Sequence, residues 1–504
     1  MPTLAIDIET YSSADIKYGV YRYVDSPDFE ILLFAYSFDD DPVQVIDLTA
    51  KKMPAHVERA LFAPNITKTA FNANFEITCL KKYYPNLPDE QWECTSVLAL
   101  YNSLPTSLDK VAKALKLEDK KDTKGKALIR YFSTPCKPTK TNGGRTRNMP
   151  KDAPDKWKEY IEYNRQDVVV EKSIRKKLIR LKPPKIEHDL WLLDRQINDN
   201  GAMINQQLVN NAISLSSQAT ERLIAKAKEI TGLDNPNSVA QLKRWLEARI
   251  GNPIESLNKK TIAEALKGDL PDDVRTLLLC RQQMGKTSVK KYESMQNAVT
   301  SKGRIHGMFQ FYGAVRTGRW AGRVVQLHNL PRNTIGGKEL DAARALVLLG
   351  DIEALELCFG NVQDTLSQLI RTAIEASPGH RFIVDDFSAI EARVIAWLAG
   401  EKWRQDVFAK GDDIYCASAS AMFHVPVEKH GVNGHLRQKG KIAELALGYQ
   451  GGTGALKAMG ADKMGLTDDE LQDIVTKWRD ASPHIVRFWY DVDAAAKRAI
   501  KEPG

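Results

Sequence analysis

The spacing of apolar and polar residues predicts a chain that begins with strands and helices in alternation. Residues 4–10 and 31–36 are apolar runs rich in strand-forming side chains, which is typical of buried strands. Helical spacing is found at residues 74–82, 108–115 and 157–181. Because strands and helices share this part of the chain, it is predicted to be an α/β domain with a central sheet.

The chain after residue 182 follows a different pattern. Lys182-Pro183-Pro184-Lys185 ends the preceding helix, because proline cannot continue a helix, and predicts a domain boundary. The spacing is mostly helical to about residue 297 and mixed from Gly303 onward. Phe382-Ile383-Val384 predicts a further buried strand, with helices after it. The predicted divisions are residues 1–182, 183–300, 301–400 and 401–504.

Length and composition describe a globular protein of several domains. A chain of 504 residues exceeds what one core supports, and 43% hydrophobic with 27% charged residues is ordinary for a soluble protein. No apolar run reaches the roughly 18 residues that span a bilayer, so we expect an intracellular protein without a membrane partner. The net charge of +8 fits a polyanionic partner, although many proteins with such a charge bind none. The six cysteines form no C-x-x-C pair, which argues against disulfides and zinc.

Several carboxylates recur at positions that an α/β fold could bring together. Asp7 and Glu9 lie two residues apart on a predicted strand, so both project from one face. Glu76 borders an apolar stretch, and Tyr163 and Asp167 are spaced i and i+4 on a predicted helix. Clustered carboxylates are tolerated when divalent cations neutralise them, and an all-oxygen site favours Mg²⁺ or Mn²⁺. A D-x-E pair alone more often lies at a solvent-exposed sheet edge. The predicted metal site therefore depends on all of these residues occurring together and in this order.

A second group of polar residues lies between residues 316 and 400. Thr317-Gly318-Arg319 precedes the strand predicted at Phe382-Ile383-Val384, which would carry Asp386 at its exposed end. Glu391 then begins a helix with an apolar face. An aspartate at a strand end is a good metal position, although a single one is more commonly a helix cap or turn residue.

One predicted helix carries a stripe of side chains spaced by four, which are Arg437, Lys441, Leu445 and Tyr449. The stripe suits a nucleoside triphosphate, with Arg437 and Lys441 on the phosphates. Leu445 and Tyr449 would then lie against the base. An amphipathic surface helix has the same spacing, so both interpretations stay open for this helix alone.

These motifs resemble two known enzyme families. D-x-E, N-x-x-[YF]-[DE] and Y-x-x-x-D occur in the order found in the DEDDy proofreading exonucleases. T-G-R, Q-x-x-N-L-P-R, D-[YF]-S-x-I-E-x-R and R-x-x-x-K-x-x-x-x-x-x-x-Y follow in the order found in the family A DNA polymerases, the DNA polymerase I class, and are closest to phage-type members. The resemblance covers essentially the whole chain. It implies a multi-domain α/β fold, with a ribonuclease H-like exonuclease domain followed by an incomplete right-hand polymerase.

The resemblance assigns a part of that fold to each predicted division. Residues 1–182 would form the exonuclease and 183–300 the helical thumb and connecting region. Residues 301–400 would form part of the palm, and 401–504 part of the fingers. The implied partners are primer-template DNA and deoxynucleoside triphosphates, with replication accessory proteins as further candidates.

In the exonuclease, the resemblance implies two Mg²⁺ or Mn²⁺ ions and catalysis assisted by Tyr163. The implied metal ligands are Asp7, Glu9, Glu76 and Asp167. Glu76 stands where many members have aspartate, and its longer side chain should still reach a metal. The implied reaction is attack of water on the terminal phosphodiester of a primer strand.

In the polymerase, the resemblance implies two further metal ions bound at Asp386, next to the primer end that Arg319 approaches. Glu391 is the implied steric gate against a ribose 2′-hydroxyl. The residues implied to contact the incoming nucleotide are Arg437, Lys441, Leu445 and Tyr449. Leu445 departs from the phenylalanine or tyrosine usual in the family, so sugar selection and stacking could differ.

The family has a later H-D-E motif, which supplies the second metal carboxylate and does not occur after Tyr449. This predicts a truncated chain with exonuclease activity and little nucleotide addition. One alternative is a stand-alone 3′-to-5′ exonuclease with a relic polymerase region. Another is a non-catalytic DNA-binding or replication-scaffold protein, whose DNA binding would be independent of metal.

Overall fold

The computed structural model describes residues 1–118, 125–254, 256–286 and 288–502, apart from the side chains of 462 and 463. The chain forms two compact units, Met1–Arg381 and Phe382–Gly504. Helices and strands are mixed, and the predicted multi-domain α/β fold is confirmed. The border between the units falls inside region 301–400, and the division of the first unit at residue 182 remains a prediction.

The first unit opens with a five-stranded sheet in the order β3-β2-β1-β4-β5. Its strands are β1 (Thr3–Tyr11), β2 (Glu30–Phe38), β3 (Gln44–Asp47), β4 (Thr67–Ala70) and β5 (Trp92–Cys94). β1 is antiparallel to β2 and parallel to β4, so it lies at the centre of a mixed sheet. The two strands predicted from the apolar runs are β1 and β2.

Helices cover both faces of this sheet. They are α1 (Val20–Val24), α2 (Ala55–Phe62), α3 (Ala73–Lys81), α4 (Thr95–Tyr101), α5 (Leu108–Ala114), α6 (Gly125–Phe132), α7 (Pro154–Leu178) and α8 (Lys185–Asn200). The three predicted helices correspond to α3, α5 and α7. Leu4, Ile6 and Ile8 of β1 are buried in the main core on one face, and α7 packs on the opposite face.

The rest of the first unit is largely helical, as predicted, and surrounds a second core. Its helices are α9 (Gln206–Thr231), α10 (Val239–Ile250), α11 (Lys259–Ala265), α12 (Asp272–Met284), α13 (Lys290–Ala298), α14 (Gly337–Leu349), α15 (Ile352–Phe359) and α16 (Val362–Leu369). Its strands are β6 (Ala202–Ile204), β7 (Arg304–Ile305), β8 (Phe309–Ala314), β9 (Arg319–Gly322) and β10 (Ile374–Glu375). β8 and β9 form an antiparallel hairpin, and β6 pairs with both β7 and β10.

The second unit is built from helices in its described part. They are α17 (Ile390–Ala399), α18 (Lys402–Lys410), α19 (Ile414–Phe423), α20 (Arg437–Leu447), α21 (Thr453–Ala458), α22 (Asp468–Asp480) and α23 (Pro483–Lys501). Its core includes an ion pair between Arg404 of α18 and Glu444 of α20. Across the described residues of both units, no helix combines the length and the apolar character needed to cross a membrane.

The strand predicted at Phe382-Ile383-Val384 is wrong. These residues have no regular secondary structure, and Ile383 and Val384 are 86% and 90% exposed. A strand is stabilised by hydrogen bonds to a neighbouring strand, and no strand in the described chain pairs with this segment. The apolar composition predicts burial correctly only when such a neighbour is present. Asp386 therefore does not lie at the end of a strand.

Candidate active sites

An acidic cluster forms where β1 faces α7. β1 presents Asp7 and Glu9 toward the helix, because side chains two residues apart on a strand share a face. α7 presents Asp167 toward the strand. One oxygen from each of these three carboxylates lies within 4.8 Å of the other two. The fold thus brings together three of the four carboxylates predicted for the first site.

Glu76, the fourth predicted carboxylate, borders this cluster from the first turn of α3. Its side chain is buried, and burial raises the pKa of Glu76 well above its usual value, with the negative charges of Glu9 and Glu171 adding to the shift. Its Oε2 has no hydrogen-bond partner among the described residues. Glu76 is outside the group of oxygens that all lie within 4.8 Å of one another.

α7 supplies a hydrogen-bond partner for each carboxylate of the cluster. Tyr163 donates to Asp167, and burial together with the charge of Asp167 raises the pKa of Tyr163. Two further contacts are Asn164 Nδ2 to Asp7 Oδ2 at 2.6 Å and Tyr160 Oη to Glu9 Oε2 at 2.6 Å. Tyr160 and Asn164 are absent from the predicted site. The helical spacing could have indicated Tyr160, which lies one turn before Tyr163 on the same face.

The cluster has the chemistry of a site for hard divalent cations. Three carboxylates held this close repel one another, and a cation between them would remove that repulsion. The unpartnered Oε2 of Glu76 offers another oxygen at its border. Oxygen ligands alone favour Mg²⁺ or Mn²⁺ over softer metals, so these residues fit the predicted ions.

In the second unit, Asp386 lies in the exposed irregular segment before α17. Its amide donates a hydrogen bond to Asp385 Oδ1 at 2.9 Å. Glu391 lies in the first turn of α17, as predicted, and it lines one small pocket together with Tyr449 and Trp478. The fold therefore brings the predicted steric gate and the predicted base contact into one pocket.

The stripe predicted for the nucleotide lies on α20 except for its last member. α20 ends at Leu447, so the predicted helix is too long and Tyr449 lies in the turn after it. The chain folds back closely there, because a Cβ at Gly451 would come within 2.0 Å of the Ala446 carbonyl oxygen. Leu445 and Tyr449 are 46% and 69% exposed, which leaves both side chains accessible.

The two cations of this stripe both lie near Tyr415 of α19. Arg437 forms an ion pair with Asp413 at 2.7 Å, and its guanidinium lies 5.3 Å from the ring centroid of Tyr415. Lys441 Nζ lies 6.0 Å from the same centroid. Asp413 and Tyr415 are absent from the predicted site, since no spacing in the sequence connects α19 with α20.

Arg319, predicted to approach the primer end, begins β9 in the first unit. It is exposed and follows the tight turn of the β8–β9 hairpin, where Gly318 has a φ of +66°. That backbone conformation is readily adopted by glycine and strained for most other residues. The turn therefore explains the glycine of the Thr317-Gly318-Arg319 motif.

Comparison with known proteins identifies the family. Residues 206–501 match the model of DNA polymerase family A, which covers more than half of the chain. The chain therefore belongs to DNA polymerase family A, as its motifs predict. The matched region begins after α8, so the acidic cluster on β1 and α7 lies outside it.

Individual relatives agree with this assignment. A DNA polymerase of Bacillus phage SP02 is 55% identical over 505 residues, covering 100% of this chain and 78% of that protein. DNA polymerase I of Pseudomonas aeruginosa is 24% identical over 315 residues, covering 60% of this chain and 30% of that protein.

A solved structure supports the fold. The POL domain of Pol1 from M. smegmatis, in complex with DNA primer-template and dNTP, aligns with a TM-score of 0.61 at 17% identity. The alignment covers 99% of this chain and 76% of that chain. The described architecture is thus that of a family A polymerase fold.

Proposed function

We propose that this protein is a template-directed DNA polymerase that also degrades DNA from the 3′ end as a proofreading exonuclease. Family membership supports the polymerase part. The observation that carries the exonuclease part is the convergence of Asp7, Glu9 and Asp167 within 4.8 Å, each with a hydrogen-bond partner on α7. Two divalent cations at each site are part of the proposal.

In the proposed exonuclease reaction, Asp7, Glu9 and Asp167 would hold the cations, and Glu76 would offer a further carboxylate. The bound cations would lower the pKa of an attacking water and offset charge on the leaving oxygen. Asn164 and Tyr160 keep two of the carboxylates in orientation through hydrogen bonds. Tyr163, bonded to Asp167, borders the position where water would attack the terminal phosphodiester.

In the proposed polymerase reaction, the second unit binds the nucleotide. Arg437 and Lys441 contact the triphosphate, and the Asp413 carboxylate holds Arg437 until the phosphates replace it. Glu391 and Tyr449, which share a pocket, contact the sugar and the base pair. The M. smegmatis complex with primer-template and dNTP supports these partners as the substrates of this chain.

We also propose that this chain has exonuclease activity and that its nucleotide addition is inefficient. Asp386 lies in an exposed, irregular segment, and no described carboxylate forms with it a group of metal-ligand oxygens like that of the first site. A primer-extension assay with primed template, Mg²⁺ and deoxynucleotides tests this proposal. Efficient extension would contradict the proposal.

The exonuclease is tested with Asp7→Ala combined with Glu9→Ala. We expect the release of nucleotides from a labelled primer to be abolished, because two of three clustered ligands are lost. Asp40→Ala combined with Asp155→Ala removes the same charge from exposed positions of the same unit and serves as the control. Unchanged degradation in the first variant would remove the acidic cluster from the proposed function.

A further inference from the structure

In the hairpin that carries Arg319, the outer edge of β8 has no strand partner among the described strands. β8 pairs with β9 along one edge, and its other edge lies against α8. There the side chain of Asn198 satisfies both backbone groups of Phe309. Its Oδ1 accepts from the Phe309 amide at 3.0 Å, and its Nδ2 donates to the Phe309 carbonyl at 3.0 Å.

A second contact lies one helical turn earlier on α8. Asp194, which is fully buried, accepts a hydrogen bond from Trp320 Nε1 of β9 at 2.8 Å and lies beside the Phe311 amide. Four residues advance about 6 Å along a helix, and two residues advance about 6.6 Å along a strand. Asn198 and Asp194 therefore stay in register with Phe309 and Phe311.

The same face of α8 makes a third contact with β8. Glu187 accepts a hydrogen bond from the Tyr312 hydroxyl at 3.0 Å. Residues 187, 194 and 198 are spaced by seven and four, so they form one stripe along the helix. α8 thus takes the place of a third strand beside the hairpin.

Other side chains of α8 fix it to the fold that carries the acidic cluster. Trp191 is buried in the core that contains Ile6 and Ile8, and Phe311 of β8 belongs to the same core. The buried Arg195 donates to Thr78 Oγ1 at 3.1 Å and pairs with Asp199 at 3.3 Å. The position of the hairpin is therefore set by the packing of α8 on the five-stranded sheet.

We infer that Asn198 and Asp194 are positioning residues for primer binding, because they fix the hairpin that presents Arg319. The inference rests on the proposed role of Arg319 at the primer end. Without these contacts the hairpin keeps its own β8–β9 pairing and the burial of Phe311, but it is held less rigidly against α8. Binding of Arg319 to the DNA backbone would then require the hairpin to become ordered, and the loss of conformational entropy would weaken binding.

Equilibrium binding of a fluorescent primer-template DNA to the full chain tests the inference. Asn198→Ala removes both bonds to Phe309, and Trp320→Phe removes the indole donor to Asp194 while keeping an aromatic ring. We expect each variant, like Arg319→Ala, to weaken binding on the order of fivefold. Asn297→Ala, whose amide bonds only within α13, is the matched control and should bind normally.

Double variants separate positioning from general destabilisation. If Asn198 acts through Arg319, Asn198→Ala should weaken binding little further in an Arg319→Ala background. The same fivefold loss in both backgrounds would overturn the inference. Degradation of single-stranded DNA, measured in parallel, should be unchanged in Trp320→Phe and shows that the unit is folded. If Arg319→Ala itself binds normally, the proposed primer contact fails first, and the inference fails with it.

Discussion

At the scale of single residues, the hydroxyl of Tyr160 supports the acidic cluster, and it also lies 2.7 Å from the Ser133 hydroxyl. It donates to Glu9 at 2.6 Å, while its ring stacks between Phe132 and Tyr163. Tyr160→Phe keeps this stacking and removes the hydrogen bond that the hydroxyl donates to Glu9. We expect the exonuclease rate to fall by about 10–100-fold, as is usual when a partner of a metal ligand is lost. The rate of nucleotide release from a single-stranded oligonucleotide measures the effect.

Two further measurements make this prediction specific. The Mg²⁺ concentration for half-maximal rate should rise in Tyr160→Phe, because a less ordered Glu9 binds the cation more weakly. Tyr131→Phe is the matched control, since Tyr131 also packs on Phe132. Equal losses in the two variants would show that hydroxyl removal acts through packing rather than through Glu9.

The residues of the first site were predictable to different degrees. Asp7 and Glu9 could be predicted because a two-residue spacing on a strand fixes a common face. Glu76 could be predicted only as a candidate, since its place at the border depends on how α3 packs. The sequence does not reveal the bond between Tyr160 and Glu9, because it joins residues 151 positions apart.

At the scale of elements, a buried ion pair joins α18 to α20, the helix that carries Arg437, Lys441 and Leu445. Arg404 Nη1 contacts Glu444 Oε2 at 2.6 Å, and Glu444 Oε1 accepts from Trp478 Nε1 at 2.8 Å. Glu444→Ala would leave the Arg404 charge buried without its carboxylate. We expect a loss of about 3–5 kcal/mol in the free energy of unfolding. Urea unfolding followed by tryptophan fluorescence measures it.

An exposed ion pair on α18, the helix that carries Arg404, is the control for this prediction. Lys402 and Asp406 of α18 lie 3.1 Å apart with side chains 79% and 51% exposed. Asp406→Ala should change the free energy of unfolding by less than about 1 kcal/mol, because solvent screens such pairs. A comparable loss in the two variants would contradict the view that burial makes the Arg404–Glu444 pair important.

The helices and strands match the sequence pattern where the element has neighbours that cover its apolar face. β1, β2, α3, α5 and α7 were predicted from periodicity, which reports the face that each element buries. The strand at residues 382–384 was not predicted correctly, because periodicity cannot tell whether a pairing strand is present. The end of α20 was also missed, since it depends on the close approach of Gly451 to Ala446.

At the scale of the whole molecule, the burial of Asp194 makes stability depend on pH. Burial raises the pKa of Asp194 to about 6 from 3.8, against opposing hydrogen bonds from Trp320 and Asn198. The folded state therefore retains a proton that the unfolded chain releases near pH 4, and stability from this group falls as pH rises from about 4 to about 6.

Asp194→Asn has no proton to lose, so its stability relative to the parent protein should rise across this window. The rise should be at most about 3 kcal/mol, from roughly two pKa units at 1.36 kcal/mol each. Urea unfolding at pH values from 4 to 8 measures the difference. Above pH 7 the difference should be constant, and a constant difference across the whole range would contradict the prediction.

The sequence predicts the division into two units only in outline. Limited proteolysis can locate the border between them. Length predicts several domains, but the border at residue 381 depends on contacts that no composition change marks. Residues 378–388 are exposed and contain neither helix nor strand, so a protease can bind this segment without unfolding a core. We expect brief trypsin treatment to cut after Arg381 and to release a stable fragment that begins at Phe382, identified by mass spectrometry.

Arg381→Gln removes this cleavage site without touching either core and is the control for the fragment. The fragment beginning at Phe382 should disappear in that variant, while cleavage elsewhere continues at the parent rate. Because the second unit has its own buried core around Trp478, the fragment should persist while exposed segments are digested further. If instead residues 382–504 are degraded as soon as they are released, the second unit depends on the first for its stability and is not an independent folding unit.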